Sequence, residues 1–181
     1  MTCIVGIIDL EKDNVLMGGD SAGVANLDIC IRKDEKVFRV SDFVIGCTDS
    51  FRMIQLLRFS FNPPQIGNIE VYEYMCTDFI NKVKECFRNG GYLQKYEEGD
   101  DKGGSFLVGY KNRLFKVEND FQVAETFDGY DSVGCGFAYA LGSLRTTDNQ
   151  SYSAQERVDL ALKSAEYFSA GVSSPFVFQT S

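Results

Sequence analysis

The second residue of this chain, Thr2, carries a hydroxyl that could act as a nucleophile beside a base of its own. The chain of 181 residues contains no histidine, which excludes the Ser-His and Cys-His pairs of many hydrolases and any metal site built on histidine. One remaining base is the α-amino group, whose ordinary pKa of roughly 7.7–8.0 lies far closer to neutrality than that of a lysine. If Met1 is removed, Thr2 supplies both groups, which is the chemistry of an N-terminal threonine nucleophile.

Such a site needs a cation close to the threonine amine. With a pKa of about 7.8, only about 14% of the amine is neutral at pH 7. A neighbouring cation that lowers this pKa by about one unit raises the neutral fraction to about 60%. The sequence therefore predicts that a lysine lies beside Thr2 in the folded chain.

The six cysteines show no paired spacing such as CxxC, and several lie within apolar runs. We interpret them as reduced and mostly structural thiols. Cys3 and Cys47 are expected to line the core or a pocket and not to act as nucleophiles, because neither has a plausible base. The sequence predicts neither a metal site nor a cofactor.

The charge balance is acidic, with 18 Lys and Arg against 26 Asp and Glu and a net charge of −8. This balance argues against nucleic acid or a membrane surface as the main partner. No charged start followed by a long apolar run opens the chain, and no segment approaches the apolar length of a membrane span, so we expect a cytoplasmic protein. Length, together with the absence of a linker or repeat, predicts a single domain over residues 1–181.

Short β-branched runs predict two groups of strands, each followed by two amphipathic helices, with one more strand at residues 175–179. The predicted strands are 2–8, 15–17, 29–31, 37–40 and 43–47 in the first group and 105–110, 113–117, 121–124 and 130–133 in the second. The predicted helices are 50–61 and 69–88, then one from the 134–136 turn to residue 144, and one capped at Ser153 and ending at Phe168. We expect each group of strands to form one sheet, with the two sheets packed face to face and helices on both outer sides.

Several segments resemble one known family. They are TCIVG at residues 2–6, VLMGGDS at 15–21, KV at 36–37, GCGFAYA at 134–140 and SAGV at 169–172. These segments look like parts of proteasome β-type subunits and of the bacterial peptidase HslV, which are N-terminal nucleophile threonine hydrolases. The resemblance covers most of the chain and is patchy between residues 50 and 100. It implies an α+β fold, a four-layer αββα sandwich of two antiparallel sheets flanked by helices.

The resemblance also implies roles for individual residues. Thr2 falls on the family's nucleophile, Lys36 on its catalytic lysine, and Asp20 on the acid that orients this lysine. Gly46 falls where the family uses a glycine backbone N–H as the oxyanion donor, a contact worth roughly 3–4 kcal/mol in related acyl-transfer chemistry.

Two further positions depart from the family's pattern. Cys135 stands where the family usually has a serine whose hydroxyl bonds the threonine amine, and a thiol is a weaker donor and acceptor. Glu166 precedes Ser169 by three residues, the interval at which proteasome subunits carry an aspartate before a serine. The resemblance therefore makes Cys135, Glu166 and Ser169 candidates for positioning the nucleophile.

The activity that the resemblance implies is hydrolysis of peptide bonds in unfolded chains through an acyl-enzyme on Thr2. Family members work as closed rings and depend on an ATP-driven unfoldase for folded substrates, so self-association is expected and such a partner is a further expectation. Two other interpretations remain open. One is a structural or assembly protein of the same fold that keeps Met1, and the other is an N-terminal nucleophile hydrolase of small amides.

Overall fold

The structure, a computed structural model, describes residues 1–93 and 103–181 of the chain. Within these ranges the strands are β1 (Cys3–Asp9), β2 (Asn14–Gly19), β3 (Ala22–Ala25), β4 (Asp28–Ile31), β5 (Val37–Val40), β6 (Phe43–Cys47), β7 (Phe106–Tyr110), β8 (Arg113–Val117), β9 (Val123–Glu125), β10 (Tyr130–Gly134) and β11 (Val177–Thr180). The helices are α1 (Phe51–Phe59), α2 (Val71–Tyr74), α3 (Ile80–Asn89), α4 (Phe137–Thr146) and α5 (Ala154–Phe168), with a π-helical turn at Met75–Phe79 between α2 and α3.

The strands form two antiparallel sheets whose members come from both halves of the chain. The first sheet has the order β10-β1-β2-β11 and the second β5-β6-β7-β8-β9, while β3 and β4 form a separate hairpin. The prediction that each sequence group forms its own sheet is therefore wrong, because β5 and β6 join the later strands and β10 joins β1. A local hydrophobic pattern locates a strand, but its neighbours are selected by burial across the whole fold.

Apolar side chains fill the spaces between four layers. The cluster between the two sheets consists of Ile4, Val15, Met17, Val37, Val44, Leu107, Leu114 and Val133. Helices α1–α3 cover the outer face of the second sheet, where Phe43 stacks on Tyr110 and contacts Phe79. Helices α4 and α5 cover the outer face of the first sheet. The expected α+β fold with αββα layers is thereby confirmed.

Side-chain caps explain where two helices begin. The Ser153 side chain accepts a hydrogen bond from the Glu156 backbone N–H, and the Glu156 carboxylate accepts one from the Ser153 N–H. This is the capping box predicted for α5. Ser50 caps α1 by accepting a hydrogen bond from the backbone N–H of Arg52, which fixes the start of α1 just after β6.

Several predicted boundaries shift, and two of the shifts have a local cause. The helix predicted from residue 69 begins at Val71, because the Glu70 side chain caps its first backbone N–H groups. The strand predicted from residue 121 begins at Val123, because Phe121 has a φ of 68° and forms part of a turn. Across residues 1–93 and 103–181, no helix is both long and apolar enough to cross a membrane.

Four strand ends converge at one edge of the two sheets. Strand β1 begins at Cys3, which pairs with Gly134 at the end of β10. Its other neighbour, β2, ends at Gly19, and β5 of the facing sheet begins at Val37. The residues just outside these ends are Thr2, Asp20, Lys36 and Cys135. The sheet register therefore brings together residues from three separate parts of the sequence.

Candidate functional site

A buried ion pair between Lys36 and Asp20 lies at this edge. Lys36 Nζ donates to both carboxylate oxygens of Asp20, at 2.9 and 3.0 Å, and to the carbonyl oxygen of Ala22 at 2.6 Å. The side chains of the pair are 1% and 0% exposed. Asp20 also accepts from the backbone N–H of Cys3 at 2.8 Å and from that of Ala22 at 2.9 Å. Because Cys3 N is the peptide nitrogen that follows Thr2, the pair is anchored one residue from the candidate nucleophile.

Burial and the partner charge act in opposite directions on Lys36. Burial lowers the pKa of the Lys36 ammonium, and the Asp20 carboxylate opposes this shift through its charge and its hydrogen bonds. The thiols of Cys135 and Cys3 also interact with the lysine charge. A desolvated cation interacts strongly with its neighbours because water screens it little. Lys36 is therefore a desolvated cation, matched by Asp20, in the part of the structure that also holds Thr2.

Thr2 lies in the same region and is 5% exposed. Its backbone N–H donates to Cys135 Sγ at 3.3 Å, and its carbonyl oxygen accepts from the Gly136 N–H at 3.3 Å. Its Oγ1 hydroxyl donates to the carbonyl oxygen of Met1 at 2.5 Å. While Met1 is attached, the Thr2 nitrogen is an amide and cannot act as a base.

The structure brings two of the three further candidates to Thr2. Ser169 Oγ donates to Cys135 Sγ at 3.4 Å, so Ser169 reaches the Thr2 nitrogen through the thiol. Glu166 instead accepts from the backbone N–H of Ser174 at 2.6 Å. Within the described part of the chain Glu166 makes no hydrogen bond to Ser169, so its contact supports the segment after α5 and not the nucleophile directly.

Gly46 occupies the interior of β6, paired with Val37 on one side and with Leu107 on the other. A Cβ atom at this position would collide with the side chains of Ile4 and Met17 from the first sheet. Glycine is therefore explained here by the close approach of the two sheets, and its position does not support the expected role as oxyanion donor.

A small pocket of about 80 Å³ opens beside Thr2. Its lining residues are Met1, Thr2, Val24, Thr48, Asp49, Ser50, Phe51 and Ile54. Asp49 has a φ of 61°, and its backbone N–H has no hydrogen-bond partner among residues 1–93 and 103–181. The 47–50 turn was expected from the sequence to shape a pocket, but no residue of it was predicted to belong to the site. The sequence signal for the turn is its position between a buried strand and a helix N-cap.

The buried cysteines behave as apolar core groups. Burial raises the pKa of the Cys3 thiol to about 12 and that of Cys47 well above its ordinary value. Both residues are fully buried, whereas Cys30 and Cys135 are exposed. In the described ranges, no group of three or more Cys, Asp or Glu side chains is arranged to hold a metal ion.

We expect iodoacetamide at pH 8 to modify Cys30 and Cys135 in the native protein and to leave Cys3 and Cys47 unmodified. The thiolate is the reactive form, and a raised pKa leaves less thiolate at this pH. Peptide mapping by mass spectrometry measures each site, and the same reaction in denaturant serves as the control in which all four sites react. Native modification of Cys3 as fast as that of Cys30 would contradict its burial.

No protein-family model matches the chain, and no curated protein matches its sequence. Among solved structures, BPH from Thiobacillus denitrificans matches with a TM-score of 0.82 and 19% identity, covering 99% of this chain and 97% of that one. BPH has also been solved in complex with epoxomicin.

Two further structures match over nearly the whole chain. HslV from Trypanosoma brucei has a TM-score of 0.68 and 17% identity, with 99% of this chain and 98% of that one covered. Anbu, the ancestral beta-subunit, from Yersinia bercovieri has a TM-score of 0.66 and 15% identity, with coverage of 99% and 81%. The chain therefore has the proteasome-like fold of the N-terminal nucleophile hydrolases.

Proposed function

We propose that this protein is a threonine peptidase whose nucleophile is Thr2 after removal of Met1. The observation that carries the proposal is the buried Lys36–Asp20 pair, anchored through the Cys3 N–H one residue from Thr2. Burying a charged pair has a large desolvation cost, so such a pair is weak evidence for a purely stabilising role. If the mature chain begins at Thr2, the charge of Lys36 could instead serve to lower the pKa of the Thr2 amine.

The reaction that this site could perform is acyl transfer followed by hydrolysis. Thr2 Oγ1 attacks the substrate carbonyl carbon while the Thr2 amine takes the hydroxyl proton, directly or through a water. Collapse of the tetrahedral intermediate breaks the C–N bond, the leaving nitrogen takes the proton from the ammonium, and an ester remains on Oγ1. Water then attacks the ester carbon while the amine takes one of its protons, and the bond from the acyl carbon to Oγ1 breaks as that proton passes from the ammonium to Oγ1, which releases the carboxylic acid and free Thr2. Lys36, held by Asp20, lowers the pKa values of the Thr2 amine and hydroxyl by its charge.

We assign the oxyanion donor to the backbone N–H of Asp49 and not to that of Gly46. The Asp49 N–H is unpartnered within the described residues and belongs to the turn that lines the Thr2 pocket. Backbone donors of this kind typically contribute about 10²–10³ in kcat.

The substrate assignment follows from the walls of the pocket and from the fold. Val24, Phe51 and Ile54 line the pocket, which favours an apolar side chain on the acyl side of the scissile bond. We propose unfolded polypeptides and peptides as substrates, self-association into rings, and an ATP-dependent unfoldase as partner, supported by the likeness to HslV and the other proteasome-like structures. The six unpaired cysteines fit a reducing cytoplasm.

A second candidate function, a catalytically silent assembly protein of the same fold, is favoured by the contacts of Met1. The Met1 carbonyl accepts the Thr2 hydroxyl, and the Met1 side chain packs against Gly171, where a Cβ would collide with it. In this alternative Met1 is retained, and the weaker thiol contact of Cys135 is tolerated because no amine needs positioning.

Intact mass spectrometry of the purified protein combined with peptide hydrolysis separates these two candidates. The peptidase proposal expects a mass without Met1, hydrolysis of short peptides with an apolar residue before the scissile bond, and inhibition by epoxomicin, the compound bound to BPH. A chain that retains Met1 throughout, or one that lacks Met1 and cleaves no peptide, would overturn it. Native mass spectrometry of the same sample tests ring formation independently of activity.

Replacing Cys135 with serine is expected to raise kcat/KM for peptide hydrolysis by about threefold to tenfold. A hydroxyl is a stronger hydrogen-bond partner than a thiol, so it should orient the Thr2 amine better than the 3.3 Å contact to sulfur. Steady-state kinetics on Met1-free protein provides the measurement, and Cys30→Ser on the exposed β3–β4 hairpin is the matched control. A loss of activity in Cys135→Ser would instead show that the site requires the thiol.

A further inference from the structure

One phenylalanine in the wall of the Thr2 pocket packs against an arginine. Phe51, the first residue of α1, lines the pocket together with Thr2. The guanidinium carbon of Arg32 lies 3.7 Å from the centre of the Phe51 ring, which is the distance of a cation–π contact. The described residues that line the pocket include Phe51 but not Arg32. Any effect of Arg32 on a ligand in this pocket therefore passes through the ring.

The guanidinium of Arg32 is oriented by a carboxylate. Its Nε and Nη2 atoms donate to the two oxygens of Asp34 at 2.8 and 2.7 Å, a bidentate contact that sets the plane of the group. The two side chains are 35% and 40% exposed, so the ion pair contributes little to stability by itself. What the pair provides is a fixed orientation of the guanidinium against Phe51.

The stem of the Arg32 side chain depends on a glycine in β3. A Cβ atom at Gly23 would lie 2.6 Å from Arg32 Cδ and 3.1 Å from Arg32 Cγ, too close for both to stay in place. Gly23 pairs with Cys30 in the β3–β4 hairpin, and the backbone N–H of Arg32 donates to the Ser21 carbonyl oxygen at 2.9 Å. The absence of a side chain at Gly23 therefore leaves room for the stem that carries the guanidinium to Phe51.

The same ring also lies near the buried ion pair. Lys36 Nζ is 5.8 Å from the centre of the Phe51 ring, so the ring is shared by the wall of the pocket and the surroundings of the proposed catalytic lysine. The pocket measures only about 80 Å³. In so small a space, the position of one aromatic ring decides which side chains can enter.

We propose that Arg32 is a positioning residue that sets specificity, because it holds the Phe51 ring where the Thr2 pocket admits small apolar side chains and disfavours large ones. The inference rests on the proposed peptidase function and narrows its substrates to those with alanine or valine before the scissile bond. Val24, Phe51 and Ile54 supply the apolar walls. Without the guanidinium, the ring loses its contact on that side and can move into the vacated space, which enlarges the pocket.

Two peptidyl aminocoumarins that carry either valine or phenylalanine before the scissile bond test this role. Met1-free wild type should have the higher kcat/KM for the valine substrate. In Arg32→Ala, the ratio of kcat/KM for phenylalanine to that for valine should rise about fivefold to tenfold. Arg32→Lys should show most of the same rise, because an ammonium keeps the charge but neither stacks as a plane nor binds Asp34 through a fork. A wild-type ratio in Arg32→Lys would overturn the packing role.

A second background tests whether Arg32 acts through the ring. In Phe51→Leu, the further change Arg32→Ala should alter the ratio by less than about twofold, since no ring is left to hold. An equal rise in both backgrounds would overturn the inference. Because both rates in the ratio come from one protein sample, a general loss of stability or of active protein cancels.

Arg58 provides the matched control. Like Arg32 it pairs with a carboxylate, that of Glu35 at 3.0 Å, and lies near an aromatic ring, that of Phe59 at 5.4 Å. The described residues that line the pocket include none of these three, so Arg58→Ala should leave the ratio unchanged. A wild type that prefers the phenylalanine substrate, or an Arg32→Ala variant with the wild-type ratio, overturns the inference and still supports the peptidase. A Met1-free wild type that cleaves neither substrate overturns both.

Discussion

Replacing Asp20 with asparagine is expected to lower the free energy of unfolding at pH 7 by about 3–5 kcal/mol. The substitution keeps the shape of the side chain but leaves the Lys36 ammonium buried without its counter-charge. Denaturant titration followed by circular dichroism measures the effect. The same variant should also lose most peptide hydrolysis, because Lys36 would no longer be held charged beside Thr2.

The loss of stability in Asp20→Asn should shrink as the pH rises. Burial already lowers the pKa of Lys36 below its ordinary 10.5, and removal of Asp20 takes away the charge that opposes this shift. Between the native pKa and that of the unfolded chain, the unfolded state binds more protons, so raising the pH through this window favours the native state. The quantity to measure is the difference in unfolding free energy between the variant and the wild type at each pH. Other groups that titrate at alkaline pH contribute equally to both proteins and cancel in this difference.

A double variant separates charge from packing. Asp20→Asn combined with Lys36→Met removes both charges and should regain much of the stability lost in the single variant. Glu85→Gln in the exposed Lys82–Glu85 pair should change stability by no more than about 1 kcal/mol. A single Asp20→Asn variant as stable as wild type would mean that the pair carries no buried charge.

Replacing Thr2 with alanine is expected to reduce kcat/KM for peptide hydrolysis by about 10⁴-fold or more, the range found when a catalytic nucleophile is removed. Stability should change little, because the hydroxyl's one hydrogen bond within the described residues goes to Met1, which the active chain lacks. Thr2→Ser is the matched control and should keep activity within roughly tenfold, since it retains both the hydroxyl and the terminal amine. Intact mass must establish the same N-terminus in each protein before rates are compared.

An active Thr2→Ala variant would reject the assigned nucleophile. The next candidate would then be Cys135, an exposed residue whose sulfur lies 3.3 Å from the Thr2 nitrogen. Cys135→Ala in the same assay distinguishes this case. Inactivity of Thr2→Ala together with full activity of Cys135→Ala would support the hydroxyl as the nucleophile.

The two lysines at residues 33 and 36 show how much of the site could be predicted from the sequence. Lys33 and Lys36 lie in one charged run, and residue type alone treats them alike. The resemblance selected Lys36, and the structure places it beneath the surface against Asp20, while Lys33 is exposed. The physical difference is the start of β5 at Val37, which directs the preceding side chain toward the first sheet.

Gly46 illustrates the opposite outcome. A glycine at the end of an apolar run is compatible with an oxyanion turn and with close packing of two sheets, and local sequence does not separate them. The collision of a Cβ with Ile4 and Met17 identifies the second role here. These contacts involve the facing sheet, so no pattern around Gly46 could have revealed them.

The sequence by itself predicted a candidate chemistry and the kinds of layer. The absence of histidine excludes histidine as a base and leaves the α-amine of Thr2, after removal of Met1, as one candidate base. Periodicity and caps likewise located most strands and helices, because these signals act within a few residues.

Only the tertiary structure decided which elements are neighbours and therefore which groups meet. Thr2 and Cys135 are in contact although they lie 133 positions apart, and each sheet combines strands from both halves of the chain. Such contacts depend on burial summed over the whole fold, which a local sequence pattern does not contain.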